Sequence, residues 1–231
     1  LAAARPAGAK PQIVRVGPPI WGESRWVGNI YPVGTKAAEF ISAYQKQFKT
    51  VEINSTFYAV PARTTFAKWS TSVDKDFRFC PKFPKSVSHQ IHSPNMNDLE
   101  NFYAGLEAIR DNIGMTFLQL PGTFGAKIGD RNAKSLLRFL DSVPRWVKLG
   151  VEFRHPDFVS NHLLKPEWVE ALAERFTATV IIDTPLERQV CHTSLSAPRV
   201  MVRFLGANLH DTGWNRLDEW IERAATWIEA G

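Results

Sequence analysis

The stretch Val51-Glu52-Ile53-Asn54 alternates apolar and polar residues and is followed at once by Ser55-Thr56-Phe57-Tyr58. In a β-strand successive side chains point to opposite faces, so Val51 and Ile53 would share one face and Glu52 and Asn54 the other. Burying a carboxylate or an amide without a partner costs roughly 2–7 kcal/mol. The stretch therefore predicts a buried strand whose polar face finds partners on other strands.

Similar strand-like stretches recur along the chain and are separated by amphipathic helical stretches. The pattern predicts seven strands, at 13–17, 51–54, 77–81, 115–120, 147–154, 179–183 and 199–206. It predicts six helices, one that Pro61 opens and that carries Phe66 and Trp69, and five near 36–48, 98–109, 132–140, 167–176 and 217–228. Strands that alternate with helices indicate right-handed βαβ units and a parallel sheet.

The polar residues of these strands share one parity within each strand, and this distinguishes two kinds of parallel sheet. In a doubly wound sheet helices cover both faces, so central strands are apolar throughout. A barrel has helices outside and polar groups inside, near its mouth. The residues with shared parity are Glu52, Asn54, Cys80, Lys82, Gln119, Glu152, Arg154, Asp183 and Arg203. We therefore predict an α/β fold of the TIM-type (β/α) barrel class, with residues 1–11 as a disordered tail and 12–231 as a single domain.

Composition limits the partners and the compartment. A length of 231 residues suffices for one large domain, and the apolar runs are too short to span a bilayer, so no membrane partner is expected. Two cysteines are too few for a disulfide framework, which favours a cytoplasmic location. The net charge of +5 permits an anionic partner, although no run of five Lys or Arg occurs. No nucleotide-binding glycine motif is present, and the oligomeric state stays open.

Five motifs occur together in a fixed order. They are VEINSTFY at 51–58, FRFCPKFPK at 77–85, FLQLP at 117–121, GVEFRH at 150–155 and VRFLG at 202–206. In combination they resemble the YecE-like proteins, the domain-of-unknown-function 72 (DUF72) family. The resemblance implies a TIM-type barrel without a settled biochemical function. A similarity of that barrel to endonuclease-IV-like and sugar-isomerase-like barrels implies nucleic-acid or sugar chemistry.

Three features depart from the commonest pattern of that family. The first loop reads GPPIW where many members have a Gly-x-x-Gly-Trp turn, and Leu205 stands where many members have His. No strand is expected after the last helix, so the predicted barrel lacks its final strand. We therefore expect a gap between the first and seventh strands, which a continuation of the natural chain, the tail or a neighbouring chain would cover.

Catalytic groups in this fold class come from the C-terminal ends of different strands. We predict Glu52, Glu152 and Asp183 as acid/base groups. The predicted ligand-binding residues are Asn54, Tyr58, Lys82, His89, Gln119, Arg154 and Arg203. Lys82, Arg154 and Arg203 would suit a phosphate or carboxylate. A purely structural ion-pair network, such as Glu52–Arg203 or Glu152–Arg154, explains the same residues without function.

Three functions stay open at this point. The leading hypothesis is an enzyme that acts on a phosphorylated or otherwise anionic small molecule or nucleic-acid component. A carbohydrate-active hydrolase with paired carboxylates is the second, and a non-catalytic nucleic-acid-binding protein is the third. Of the six histidines only His155 directly follows a predicted strand, so no metal site is predicted and any cofactor stays unknown.

Overall fold

The computed structural model describes residues 13–206 and 210–230, so the predicted tail at 1–11 lies outside the described residues. The strands are β1 (Thr50–Ile53), β2 (Arg78–Pro81), β3 (Thr116–Gln119), β4 (Leu149–Glu152), β5 (Val159–Ser160), β6 (Leu163–Leu164), β7 (Ala178–Asp183) and β8 (Met201–Phe204). The helices are α1 (Phe40–Gln47), α2 (Ser55–Tyr58), α3 (Arg63–Thr71), α4 (Lys85–Ser88), α5 (Met96–Ala108), α6 (Arg131–Ser142), α7 (Pro166–Ala173) and α8 (Asp211–Ala230). The fold is mixed α/β with parallel sheets, as predicted.

Six strands run parallel in two sheets. The first sheet pairs β1 with β2, and the second has the order β3-β4-β7-β8. Isolated parallel bridges, Phe79 with Ile113 and Lys82 with Phe117, join β2 to the second sheet. The spatial order of these strands therefore follows their order in the chain, as successive βαβ units require.

The predicted first strand at 13–17 is wrong. This segment is not part of a described sheet, and Ile13, Val14 and Val16 are largely exposed. It nevertheless lies against β1, because a Cβ atom on Gly17 would fall 1.9 Å from the Thr50 carbonyl oxygen. The apolar residues of this segment indicate that it packs against the edge of the domain. It does not form the backbone hydrogen-bond ladder that defines a strand.

A closed barrel is not detected among the described residues. No backbone ladder joins β8 to β1 within the described ranges. The gap predicted between the strands at 13–17 and 199–206 stays a prediction, because 13–17 forms no strand. The predicted seven-stranded sheet is instead a six-stranded arrangement in two sheets. The sequence did not signal the short antiparallel hairpin of β5 and β6.

The two faces of the sheets carry separate apolar clusters. Most core residues, among them Val51, Phe79 and Val151, pack between the strands and the helices. A smaller cluster of Met115, Phe117, Ala178 and Val180 occupies the opposite face. Gly150 makes room there, since a Cβ on it would lie 2.6 Å from the Met115 sulfur. The face opposite the helices is therefore filled, and its polar groups sit beyond this filling at the C-terminal strand ends.

Candidate functional site

Strand register brings one set of the predicted polar residues onto the face opposite the helices. Gln119 pairs with Glu152 across β3 and β4, and Arg203 pairs with Ile182 across β7 and β8. Glu52 faces the same way from β1. Parallel strands place their C-terminal ends at one edge, so these side chains meet there. The alternation in the sequence predicted this convergence.

Arg203 is the centre of the arrangement. Its Nε and Nη2 donate to the two oxygens of Glu52 at 2.7 and 2.8 Å, and its Nη1 donates to Glu152 Oε2 at 2.6 Å. Gln119 Oε1 accepts a longer bond of 3.4 Å from Nη1. Burial disfavours the charged guanidinium, but the hydrogen bonds that it donates to Glu52 and the charges of both glutamates outweigh this cost and raise the pKa of Arg203. Arg203 therefore links the two outermost parallel strands, β1 and β8, through side chains.

Arg154 extends this network outward. Its Nε donates to Glu152 Oε1 at 2.5 Å, and its Nη1 donates to Glu187 Oε2 at 2.6 Å. Glu152 is fully buried, with one oxygen bound by each of two guanidinium groups. The Glu52–Arg203 and Glu152–Arg154 ion pairs, which the sequence predicted as a purely structural alternative, are thus both present. We call Glu52, Gln119, Glu152, Arg154 and Arg203 the Arg203 network.

Lys82 lies beside this network but is not paired with it. The residue directly follows β2, where its N–H donates to Ile53 O at 3.1 Å and its carbonyl accepts from Thr56 Oγ1 at 2.7 Å. Its Nζ stands 3.9 Å from the centre of the Phe57 ring. No carboxylate oxygen of the described residues lies within 4.0 Å of Nζ.

The charge of Lys82 is destabilised where it lies. Only 7% of the residue is exposed. Burial, and then the positive charge of Arg203, lowers the pKa of Lys82 to about 8, although Glu152 and Glu52 act in the opposite direction. Among the predicted ligand-binding residues, Lys82 thus combines burial with an amine that gives up its proton more readily than an exposed lysine does.

The remaining ligand-binding candidates lie around Phe57. The His89 ring meets the Phe57 ring edge-on at 5.3 Å, and His89 Nε2 and Ser88 Oγ are buried without a hydrogen-bond partner in the described chain. Burial, then Lys85 and Lys82, lowers the pKa of His89. Tyr58 is 82% exposed, and Asn54 occupies the N-cap position of α2. Tyr58 and Asn54 thus lie at the outer edge of the site, and neither belongs to the Arg203 network.

Asp183 does not join the Arg203 network, which corrects the shared parity assumed from the sequence. Asp183 pairs with Phe204, whereas Ile182 pairs with Arg203, so Asp183 points to the helix side. There it accepts hydrogen bonds from Trp220 Nε1 at 2.7 Å, from Arg216 Nε at 3.2 Å and from Arg188. The parity was assigned strand by strand, without knowledge of the register between β7 and β8.

A family model described as "Protein of unknown function DUF72" matches residues 15–231. The chain belongs to the DUF72 family. The UPF0759 protein YecE of Escherichia coli is 30% identical over 93% of this chain and 82% of its own length. The UPF0759 protein YunF of Bacillus subtilis is 23% identical over 86% of this chain and 71% of its own.

Solved structures of DUF72 proteins have the same fold. One from Thermotoga maritima aligns with a TM-score of 0.72 at 25% identity, over 93% of this chain and 87% of that one. One from Enterococcus faecalis aligns with a TM-score of 0.64 at 18% identity, over 83% and 78%. The family membership thus confirms the resemblance carried by the five motifs, and the family description leaves the biochemical function open.

Metal-binding side-chain groups and membrane-spanning helices are absent from the described residues of this DUF72 chain. They contain no group of three or more His, Cys, Asp or Glu side chains that could hold a metal ion. None of the helices described has both the length and the apolar character to cross a bilayer. A cleft of about 440 Å³ lies away from the Arg203 network, at the N-terminal ends of β4 and β7, between Leu149 and Thr177.

Several residues of the site were missed in the sequence. Glu187 binds Arg154 from the irregular segment after β7, where no periodicity marks it. Arg216 and Trp220 are four residues apart on α8, so their shared face was predictable, but their partner Asp183 was not. Phe57 was not among the predicted site residues, and its contact with Lys82 depends on the backbone turn between β1 and α2.

Proposed function

We propose that this DUF72 chain is an enzyme that binds a small anionic ligand at the C-terminal strand ends, with Lys82 as the group that contacts it. The observation that carries the proposal is the burial of Lys82 without a carboxylate partner in the described chain. A charge removed from water without a partner destabilises a fold, and such groups cluster at functional sites. Lysines of this kind serve as ligand-binding, base or nucleophilic groups.

The proposal gives different roles to the three cations predicted at the mouth. Every guanidinium nitrogen of Arg203 already donates to a network partner, so we assign Arg203 to holding the strands together. Arg154 uses Nε and Nη1 for its carboxylates, which leaves its Nη2 for a ligand anion. We assign Glu52 and Glu152 to orienting these arginines. Asp183 has no role at the mouth in this scheme.

We further propose that the natural fold is a TIM-type barrel. Three observations support this architecture. The six parallel strands follow chain order, the side chains of Glu52 and Arg203 join the two outermost strands, and a second apolar cluster fills the face opposite the helices. The cytoplasmic location expected from the cysteine content stays a prediction.

The test is ligand-dependent thermal stabilisation of the purified chain. Inorganic phosphate, sulfate and citrate should raise the melting temperature of the wild type, since a ligand that binds only the native state stabilises it. Lys82→Met should abolish this shift, while Lys85→Met, which removes an exposed lysine from the adjacent helix, should retain it. An equal response of Lys82→Met and the wild type would reject the proposal.

A second candidate function is nucleic-acid binding, and one surface favours it. A shallow groove of about 350 Å³ is lined by His92 and by Arg131, Lys134, Ser135 and Arg138 of α6. The three cations share one helix face at spacings of three and four residues and make no ion pair with a described residue. Because α6 follows β3, Arg131 begins this face at the same end of the sheet as Lys82.

This candidate predicts a characteristic salt dependence. Binding of a short oligonucleotide should weaken as salt rises, with a slope that falls by about one for each phosphate contact removed. Arg131→Gln with Arg138→Gln should reduce that slope, and Lys82→Met should not. No salt-dependent binding by the wild type would remove this candidate. The carbohydrate-hydrolase hypothesis gains no support, because Glu52 and Glu152 bind one guanidinium together.

A further inference from the structure

We infer that Lys82 is a nucleophile that forms an imine with an aldehyde or ketone bearing an anionic group. The inference rests on the proposed function and names its substrate class. Its basis is the placement of the amine, which stands against the face of the Phe57 ring at a strand end, unpaired within the described chain. An amine in a carboxylate salt bridge keeps its proton and has no lone pair for attack, whereas a desolvated amine next to cations can be neutral.

The other buried or paired lysines make the contrast clear. Lys49 lies 3.7 Å from Asp74 and 3.8 Å from Asp76, and the Nζ of Lys148 donates to the Ile113 carbonyl at 2.9 Å. Lys82 has no such partner among the described residues. It is also the lysine that lies beside Arg203 and Arg154, whose guanidinium groups disfavour a third positive charge. The surroundings that make Lys82 a poor salt-bridge partner make it a good nucleophile.

The lowered pKa has a direct consequence for the population of the reactive amine. At pH 7 a lysine with a pKa of about 8 is neutral in roughly a tenth of molecules. An ordinary lysine with a pKa near 10.4 is neutral in roughly one of several thousand. Lys82 therefore presents the neutral amine on the order of a few hundred times more often.

The anionic group of the substrate has a place in the same arrangement. Arg154 retains Nη2 after its two ion pairs, and its side chain is partly open to solvent. A carboxylate or phosphate held there would bring the carbonyl carbon of a small molecule toward the strand end that carries Lys82. A charged oxo compound is therefore favoured over a neutral one, which has no partner for Arg154.

The covalent step balances without a further reactant. The Nζ lone pair forms the C–N bond while the C=O π electrons move to oxygen, which takes up a proton. The resulting carbinolamine transfers a proton from nitrogen, loses the hydroxyl as water and leaves a C=N bond. The net reaction joins the amine to the carbonyl carbon and releases one water molecule. No oxidant or reductant takes part in imine formation.

The experiment is reductive trapping. Sodium cyanoborohydride would be added to the purified chain with pyruvate, with dihydroxyacetone phosphate or with neutral dihydroxyacetone, and the product would be mapped by peptide mass spectrometry. We expect one adduct, on Lys82, with at least one of the two anionic probes and much less with the neutral one. Lys85→Arg should label like the wild type, and Lys82→Arg should lose the adduct. Labelling should rise as pH increases through about 8, the pKa of the Lys82 amine. The titratable and charged groups that face this amine are Glu52, His89, Glu152, Arg154 and Arg203.

The outcomes separate this inference from the proposed function. Phosphate-dependent thermal stabilisation that needs Lys82, together with no adduct on Lys82, would leave the anion site standing and overturn the nucleophile. An adduct spread equally over Lys82, Lys85 and other lysines would overturn it as well. Failure of phosphate, sulfate and citrate to stabilise the wild type rejects the proposed anion site, while an adduct specific to Lys82 would still support the nucleophile.

Discussion

Two buried clusters of charged groups lie at the C-terminal strand ends, and they are built in opposite ways. In the Arg203 network one guanidinium is shared by two carboxylates, Glu52 and Glu152, and it joins strands. In the second cluster one carboxylate, Asp183, is shared by Arg188, Arg216 and Trp220, and it joins β7 to α8. We call this second set the Asp183 cluster.

The two clusters also differ in whether an unpaired charged group stands beside them. The described partners around Asp183 are all donors that point at one acceptor, so this carboxylate is neutralised and serves as an anchor for a helix, although Arg216 Nη1 is buried without a hydrogen-bond partner in the described chain. The Arg203 network, in contrast, stands next to Lys82, whose amine is not neutralised by any described carboxylate. Buried polar groups that are fully paired specify a structure, whereas an unpaired group beside them is a candidate for function.

The largest loss of stability is expected when Arg203, the centre of the network, is replaced. Arg203→Met leaves Glu52 and the fully buried Glu152 without their shared guanidinium, and breaking a buried ion pair in this way typically costs about 3–5 kcal/mol. We expect urea unfolding to show a loss of stability in that range. The triple variant Glu52→Gln, Glu152→Gln, Arg203→Met should recover part of it, because neither buried carboxylate is then left without its guanidinium. No recovery in the triple variant would contradict the ion-pair explanation.

Removal of the Lys82 charge should stabilise the folded chain, in contrast to removal of the Arg203 charge. Its pKa is about 8 in the folded chain and near 10.4 in the unfolded one, so between these values only the unfolded chain binds the proton, and stability rises with pH. Below pH 8 the folded state carries the full cost of the buried charge, about 3 kcal/mol. Lys82→Met should therefore stabilise the chain at pH 7 by up to this amount, less the lost contact with Phe57. The gain should shrink as pH approaches 10, and Lys85→Met should show no such trend.

Much of this comparison was predictable from the sequence, and the limits have physical causes. The period of two in 51–54 and 150–154 identified the strands and the polar face, because the alternation is a local property of the backbone. The partnership of Glu52 with Arg203, 151 residues apart in sequence, was among the predicted ion pairs because both residues are at strand ends.

The failures have a common origin in register and tertiary context. Asp183 was assigned to the wrong face because the pairing of Ile182 with Arg203 cannot be determined from either strand alone. Segment 13–17 looked like a strand because apolar residues also mark edges that pack without a ladder. The burial of Lys82 was not apparent, because it depends on the position of Phe57 in the short helix that follows β1.

The Asp183 cluster should respond to substitution less strongly than the Arg203 network. Asp183→Asn keeps an acceptor for Trp220 but removes the charge that the two guanidinium groups bind. Hydrogen bonds to charged groups contribute about 1.5–3 kcal/mol, and we expect a loss of that size. The pKa of Asp183 is lowered: burial raises it, but the bonds from Trp220 and Arg188 and the charge of Arg216 outweigh this. Its contribution is thus present above the unfolded value near 3.9 and is lost as pH falls through the lower folded value.

A measurement of the pH dependence checks this assignment. The wild type and Asp183→Asn should differ fully above about pH 5 and should converge as pH falls below the ordinary range of an aspartate. His192 is buried, and burial lowers its pKa to about 4, so it destabilises the native state as pH falls from 6.5 toward 4 in both proteins. A difference between the two proteins that does not change with pH would show that the charge of Asp183 contributes nothing.

The smallest expected effect distinguishes the exposed member of the Asp183 cluster from the buried one. Arg188 is 42% exposed at its side chain, whereas Arg216 is largely buried and also donates to the Leu205 carbonyl at 2.7 Å. Exposed ion pairs contribute about 0–1 kcal/mol, so Arg188→Gln should lower the stability by no more than that and should do so less at high salt. Arg216→Gln leaves a buried carboxylate with fewer donors and a carbonyl without its partner, and it should cost clearly more. Equal losses for the two variants in urea unfolding would mean that solvent does not screen Arg188.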